Sequence, residues 1–346
     1  ERPEDRFFAG DLIFTTIDQT LSNVLGVPYA VSAGKANLNA GAIIGSYLVF
    51  DEFHLFPPDG ALKTTLQVLR LLCGITPFVL MTATFSQTML SELEELLGAQ
   101  KVTVSSEELA KIPSQQNKTR RFHWVGELLS ARAVLDRHDR RSIAICNTVD
   151  RAQALYDGLL TAGCRAVPVG VAADLDELYA AVRQHPGWEQ ATWVVLLHSR
   201  FTREHRHLKE EFVRREFGNP EKVTRQIPRL ILVATQVVEV GLDITCQALH
   251  TEIAPANSVI QRAGRCARFA REQGDVYIYA VPLDERGEPN YRPYAKGLCE
   301  ATRAAFAERG GQEGIVLDFQ GEQEVIEEVH AEADRKLLAD MRAEER

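Results

Sequence analysis

Short apolar runs bounded by polar residues recur along the chain: 11-DLIFTT-16, 46-SYLVF-50, 76-TPFVLMTAT-84, 142-SIAIC-146, 193-WVVLLH-198 and 229-RLILVAT-235. Runs this short and this apolar predict strands buried on both faces. Most are followed by helical spacing. In 59-DGALKTTLQVLRLLCG-74, Leu62, Leu66, Leu69 and Leu72 mark one face, Asp59 is a candidate N-cap and Gly74 a stop. The stretch 149-VDRAQALYDGLLTAG-163 repeats this logic and closes on Gly163. Strand alternating with helix predicts an α/β fold class, a parallel sheet wrapped by helices.

The alternation pauses in the polar stretch SSEELAKIPSQQNKTRR, which holds Pro113 and ends basic. The expected organisation is therefore one α/β unit over 1–105, a linker over 106–121, a second α/β unit over 122–285 and a C-terminal helical extension over 286–346. The tail 319–346 reads as a charged helix with an apolar stripe through Ile326, Val329 and Leu337. Such a stripe packs on its own domain or docks a partner.

The length of 346 residues leaves room for two cores. A net charge of -9 is wrong for a diffuse, sequence-blind nucleic-acid binder, so any binding to DNA or RNA must use a local groove. Cys73, Cys146, Cys164, Cys246, Cys266 and Cys299 form no C-x-x-C pair and sit mostly within apolar runs. They read as reduced thiols of a cytoplasmic protein rather than disulfides or zinc ligands. No apolar stretch approaches membrane-spanning length, and no membrane partner is expected.

The candidate chemistry begins at 51-DEFH-54, where an apolar run ends on two carboxylates. Ligands of open parallel sheets bind beyond the carboxyl ends of the strands. A carboxylate there can hold Mg²⁺ through waters, and a second beside it can orient and deprotonate a water. Next comes 82-TAT-84, whose hydroxyls could bond the carboxylates or cap the helix predicted over 86–98. In the second unit 234-ATQVVEVGLDI-244 ends a strand at Thr235, turns at Gly241 and places Asp243 to meet a ribose or a neighbouring arginine. Last comes 261-QRAGRCAR-268. Arg265 and Arg268, three positions apart, would share a face if they lay on one helix, a pairing suited to a γ-phosphate.

Taken in order, DEFH, TAT, ATQVVEVGLDI and QRAGRCAR resemble the second, third, fifth and sixth motifs of superfamily 2 helicases. More narrowly, the chain is similar to the CRISPR-associated helicase of type I systems, which carries or partners an HD nuclease. The narrower resemblance rests on DEFH with the following Leu55, on 15-TTIDQTL-21, on 197-LHSRF-201 and on TQVVEVGLDI, and it covers about residues 10 to 330. It implies two RecA-like parallel-sheet domains, the first incomplete, with a C-terminal helical segment. ATP and Mg²⁺ would be the cofactors, and the partners single-stranded DNA, a CRISPR surveillance complex of the Cascade type and an HD nuclease located elsewhere. The implied activity is ATP-driven translocation along single-stranded DNA that unwinds target DNA for degradation.

By the same resemblance, Asp51 would hold the metal and Glu52 would activate water. Arg265 and Arg268 would be arginine fingers with Gln261 nearby, and Gly241 and Asp243 would complete the nucleotide face. His54 would link the nucleotide site to the domain interface, and Thr82 and Thr84 would relay the nucleotide state. Thr16 and Gln19 would contact the backbone of single-stranded DNA, with Thr235 helping from the second domain. The plainer alternatives are that Thr16 and Asp18 cap a short helix and that His54 is a hydrogen-bonded structural residue.

Two expected parts are missing. A phosphate loop, G-x-x-x-x-G-K-[ST], should precede DEFH. The only Gly-Lys pair, Gly34-Lys35, is followed by Ala36 and has Tyr29 where a glycine belongs. The lone His138-Asp139 pair reads as a solvated helix end, not a nuclease centre. The chain is therefore expected to be a fragment with little or no ATPase or nuclease activity alone. A general DExH RNA helicase and a non-catalytic nucleic-acid or partner-binding module are the alternatives.

Overall fold

In the computed structural model, which describes residues 7–29, 31–56, 58–112, 117–310 and 313–344, the apolar run 11–16 forms no strand. Leu12 and Phe14 are 79% and 91% exposed, and no described strand pairs with them. The run instead leads into α1 (Ile17–Val24), whose N-cap is Thr16. Then follow α2 (Ala36–Ile44), β1 (Leu48–Phe50), α3 (Lys63–Leu72), β2 (Phe78–Leu80) and α4 (Gln87–Leu97). The runs 46–50 and 76–84 thus yield short strands, paired parallel from Leu48–Phe78 to Phe50–Leu80. Leu66 and Leu69 of α3 pack with Met89, Leu93 and Leu97 of α4 against Phe50 and Phe53.

The helix expected over 59–74 starts with a π-helical turn, Pro58–Leu62, that runs into α3. The Asp59 side chain, expected as its cap, lies outside the described residues. The cap of α4 is Ser86, whose hydroxyl accepts the Met89 N–H at 2.9 Å, rather than a threonine of 82–84.

The stretch expected as a linker is partly ordered. It holds α5 (Ser106–Lys111), opened by a capping box in which Ser105 and Glu108 satisfy each other's backbone N–H. Pro113 lies outside the described residues. The basic end of this stretch is the start of β3 (Thr119–Leu128). Then come α6 (Ala131–Leu135), β4 (Arg141–Ile145), α7 (Val149–Thr161), β5 (Arg165–Ala166), α8 (Leu175–Gln184), β6 (Thr192–Leu197), α9 (Arg203–Phe217) and β7 (Arg229–Ala234). They are followed by β8 (Ala248–Glu252), α10 (Ala256–Ala263), β9 (Gln273–Ala280), α11 (Lys296–Arg309), β10 (Ile315–Val316) and α12 (Phe319–Glu344).

The described strands of this second part form one eight-stranded sheet in the order β10-β3-β9-β8-β4-β7-β6-β5, parallel throughout except for β10. Alternate residues face opposite ways. Leu230 and Leu232 of β7 join a core with α8, α9, α10 and α11, whereas Ile231 and Val233 pack with Val134 of α6 and Ala152, Leu155 and Leu159 of α7. Gly163 closes α7 at φ 100°, a conformation that a side chain would strain.

The chain divides into two compact units, residues 1–103 with 330–346, and residues 104–329. The segment after 286 is therefore not a separate helical extension. β10 pairs with β3, and Val325, Ile326 and Val329 of α12 enter the core of the second unit. The end of α12 belongs to the first unit, where Leu338 and Met341 are buried. Among the described residues no helix is long and apolar enough to cross a membrane.

Leu232 is fully buried at the centre of the large sheet, whereas Leu283 is 65% exposed. Leu232→Ala should cost about 2–5 kcal/mol in denaturant unfolding. Leu283→Ala should stay within about 0.5 kcal/mol.

Candidate nucleotide-handling site

In the first unit, the carboxyl end of β1 runs into a turn that carries both candidate carboxylates. Glu52 is left-handed, at φ 51° and ψ 43°, a conformation that disfavours any residue with a Cβ. The turn is held from both sides. The Glu52 N–H donates to Asp51 Oδ1 at 2.9 Å, and the Phe53 N–H donates to the Met81 carbonyl at 2.9 Å. Phe53 is fully buried, with its ring 6.1 Å from Phe50, 4.9 Å from Phe56 and 6.0 Å from Phe85. This aromatic anchor fixes the chain immediately after the strained residue and leaves the Glu52 side chain 43% exposed.

His54 lies between that carboxylate and β2. Its Nε2 is 3.4 Å from Glu52 Oε2, and its Nδ1 is 3.1 Å from the hydroxyl of Thr82, just past the end of β2. Burial pushes the His54 imidazole down to about 4, against an opposing pull from Asp51. The ring is therefore neutral near pH 7. An ionised carboxylate only accepts, so the ring proton sits on Nε2 and Nδ1 accepts from Thr82. The chain Glu52–His54–Thr82 joins two of the sequence motifs through one side chain. Thr84 is buried close by in sequence.

Asp51 is exposed at the strand end and offers hard oxygen donors, which suits Mg²⁺ held largely through waters. Among the described residues no group of three or more His, Cys, Asp or Glu side chains could cage a metal. The fit is that of a hydrated ion on one or two carboxylates. Thr16 is exposed and caps α1 by accepting the Gln19 N–H at 3.4 Å, so the capping alternative describes its present contact.

In the second unit, Arg262 dominates. It is fully buried in α10, and sequence reasoning passed over it in favour of its neighbours. Its Nε donates to Glu239 Oε1 at 2.7 Å. Nη1 donates to Asn147 Oδ1 at 3.0 Å, Thr251 Oγ1 at 2.8 Å and the Glu252 carbonyl at 3.2 Å. Nη2 donates to Tyr294 Oη at 2.7 Å. Burial works against the guanidinium's charge, but Tyr294 and the Glu239 carboxylate outweigh it and Arg262 stays charged. A glutamate set inside the apolar run 237-VVEV-240, with Arg262 downstream, was the signal available in the sequence.

Arg265 and Arg268 do not share a helix face. α10 ends at Ala263, and Ala267 is left-handed at φ 44°, so the two side chains leave a turn in different directions. Arg265 is buried and binds the main chain, with Nε 2.8 Å from the Val238 carbonyl and Nη2 on the Glu239 carbonyl. Arg268 is partly exposed and pairs with the exposed Asp243. Asp243 thus meets an arginine. Gly241 turns at φ 78°, where a Cβ would meet nothing, so conformation and not space is what favours glycine. Gln261 lies half-buried in α10, and Thr235 is buried at the start of the turn Gln236–Val238. A buried Thr235 does not suit a contact with a nucleic-acid backbone.

Lys118, at the basic end of the expected linker, lies close enough to Arg120 and Arg268 to feel both; burial, then Arg120, brings its ammonium down to about 8. His138 is no solvated helix end. It is buried, bonded to Ser142 Oγ at 2.8 Å and pushed down to about 4 by burial.

Residues 138–271 match the family described as CRISPR-associated nuclease/helicase Cas3, C-terminal. The chain is 29% identical to the CRISPR-associated endonuclease/helicase Cas3 of Thermus thermophilus over 85% of its own length and 35% of that protein's. It is 24% identical to the CRISPR-associated helicase Cas3 of Thermoproteus tenax over 94% of its length and 49% of that protein's. The chain is thus similar to Cas3 helicases over most of its length.

It spans between about a third and a half of the length of these Cas3 relatives. The fold agrees. The crystal structure of T. fusca Cas3 with AMPPNP superposes with a TM-score of 0.65 at 22% identity, covering 95% of this chain and 40% of that one. A chain of a CRISPR RNA-guided surveillance complex in a pre-nicking state gives 0.63 at 22% identity, covering 94% and 43%. The DUF1998 helicase MrfA bound to DNA gives 0.52 at 16% identity, covering 96% and 43%, so the fold alone does not separate Cas3 from other helicases.

Two outcomes follow from these geometries. Arg262→Ala would leave Glu239 buried opposite a cavity and should destabilise the second unit by about 3–5 kcal/mol in chemical unfolding. His54 has a folded value of about 4 against 6.5 unfolded, so the unfolded chain takes up the proton first. The stability it contributes above about 6.5 is lost as pH falls through that window toward 4. Thermal midpoints recorded between pH 7 and pH 5 should fall, and His54→Asn should reduce that fall.

Proposed function

We propose that this chain forms the motor portion of a type I CRISPR Cas3 helicase, which hydrolyses ATP and translocates along single-stranded DNA. The observation that carries this reading is the Asp51–Glu52 turn. It is a strained, solvent-facing carboxylate pair at a strand end, buttressed by Phe53 and wired to Thr82 through His54. A merely structural turn gains nothing from a left-handed glutamate with an exposed side chain.

Asp51 would hold the hydrated Mg²⁺, which neutralises phosphate charge when bound. Glu52 would take the proton of the attacking water. The water oxygen then bonds to the γ-phosphorus as the bond to the bridging oxygen breaks, and ADP and phosphate leave. Arg268 would serve the phosphate charge. Arg265 would act by shaping the turn at Val238 and Glu239. Thr16 and Gln19 would contact the DNA backbone, and a surveillance complex and an HD nuclease would be the partners. The phosphate-binding loop has no counterpart in this sequence, so the chain by itself should turn over ATP poorly.

The test is the ATPase of the full-length protein with single-stranded DNA, with RNA and with neither, beside Glu52→Gln. DNA-dependent turnover should fall by about 10²–10⁴-fold in the variant while nucleotide binding persists. RNA stimulation that exceeds DNA stimulation would replace the DNA motor by an RNA helicase. Turnover untouched by the variant would remove Glu52 from the chemistry and sink this site assignment, and turnover absent throughout would leave a non-catalytic binding module.

A further inference from the structure

The segment that delivers Arg268 does not hold its own shape. Between the end of α10 and the start of β9, Ala267 is left-handed at φ 44° and Arg271 at φ 65°. Neither residue is a glycine, so each disfavours the turn it occupies. Arg268 and Phe269 lie between them, and both of their backbone N–H groups are tied down by side chains from outside the recognised motifs' charged residues.

The Phe269 N–H donates to Glu272 Oε2 at 3.0 Å. The same oxygen accepts the hydroxyl hydrogen of Thr245 at 2.5 Å. With its hydrogen committed to the carboxylate, Thr245 Oγ1 is left as an acceptor, and it takes the Arg268 N–H at 3.2 Å. The backbone carbonyl of Glu272 in turn accepts the Thr119 N–H at 3.0 Å, anchoring the glutamate to the start of β3. Arg225 lies close enough to Glu272 to feel its charge. One carboxylate therefore sets the direction of the Arg268 Cα–Cβ bond, before the side chain reaches Asp243 and the Gly264 carbonyl.

We propose that Glu272 is a positioning residue for Arg268, acting through the Thr245 hydroxyl and the Phe269 amide. The proposal rests on the reading of Arg268 as a phosphate-facing group. A guanidinium stabilises a transferring phosphoryl group only where it is already placed, so a lost tether lowers turnover rather than nucleotide affinity.

The experiment is a double-mutant cycle on the full-length protein, read as DNA-stimulated ATPase with kcat and KM separated. Glu272→Ala should lower kcat about tenfold and leave KM for ATP within about twofold, the effect of losing hydrogen bonds to a charged acceptor. Glu272→Gln keeps an acceptor oxygen in reach of both donors and should restore most of the turnover. Thr245→Val should resemble Glu272→Ala. In an Arg268→Ala background, Glu272→Ala should cause no further loss, and in the otherwise unmodified protein it should speed hydrogen exchange at the Arg268 and Phe269 amides.

Equal losses from Glu272→Ala in both backgrounds, or unchanged kcat in the single variant while Arg268→Ala is impaired, would overturn the positioning role and leave the phosphate-facing reading standing. Full turnover in Arg268→Ala itself would overturn that reading, and the proposal with it.

Discussion

A guanidinium with no access to water is the constraint around which the second unit is arranged. Moving an ion of this size out of water is prohibitive unless its charge and its donors are all met. Arg262 is met by Glu239, by Asn147 at the end of β4, by Thr251 and Glu252 at the end of β8, and by Tyr294 beyond β9. These partners come from the carboxyl ends of neighbouring parallel strands and from the turn after β7. Satisfying one arginine therefore forces those ends into register. Asn147 reinforces the arrangement, taking the Gln236 side chain on its carbonyl and giving its N–H to Glu252.

With the turn after β7 fixed this way, Arg265 adds a second clamp on its carbonyls, and the residues past it, Gly241 and Asp243, are presented to solvent. The arginines of one short stretch thus divide the work. Arg262 and Arg265 build the frame, and Arg268 is left at its exposed edge. A set of charges that looks uniform in sequence is graded by burial, and the grading follows from where α10 stops.

The first unit solves a similar problem with apolar packing. A two-stranded sheet gives little purchase for a strained turn, so the aromatic rings of Phe50, Phe53, Phe56 and Phe85 anchor the chain on either side of Glu52. Neutral His54 then bridges the Glu52 carboxylate and the Thr82 hydroxyl without itself bearing a charge. In both units a rigid, dry cluster holds a polar residue out toward water, a division expected where chemistry is to occur on a stable scaffold.

The sequence by itself determined the α/β class, the buried strands β4, β6 and β7, the helices α3 and α7, and the four motifs that resemble those of superfamily 2 helicases. Those features depend on local apolar periodicity and on short runs of residues, which a chain carries without its partners. It did not reveal β8, whose His250, Thr251 and Glu252 are polar yet buried, because their hydrogen-bond partners lie on other strands and on α10. Nor did it show that residues 11–16 would form no strand, or that the stretch from 286 onward would contribute β10 and core side chains to the second unit. The ranking of the arginines was likewise a matter of tertiary structure. Whether a charged side chain is a tether or a reagent depends on its burial and its acceptors, and both are set by segments far away in the chain.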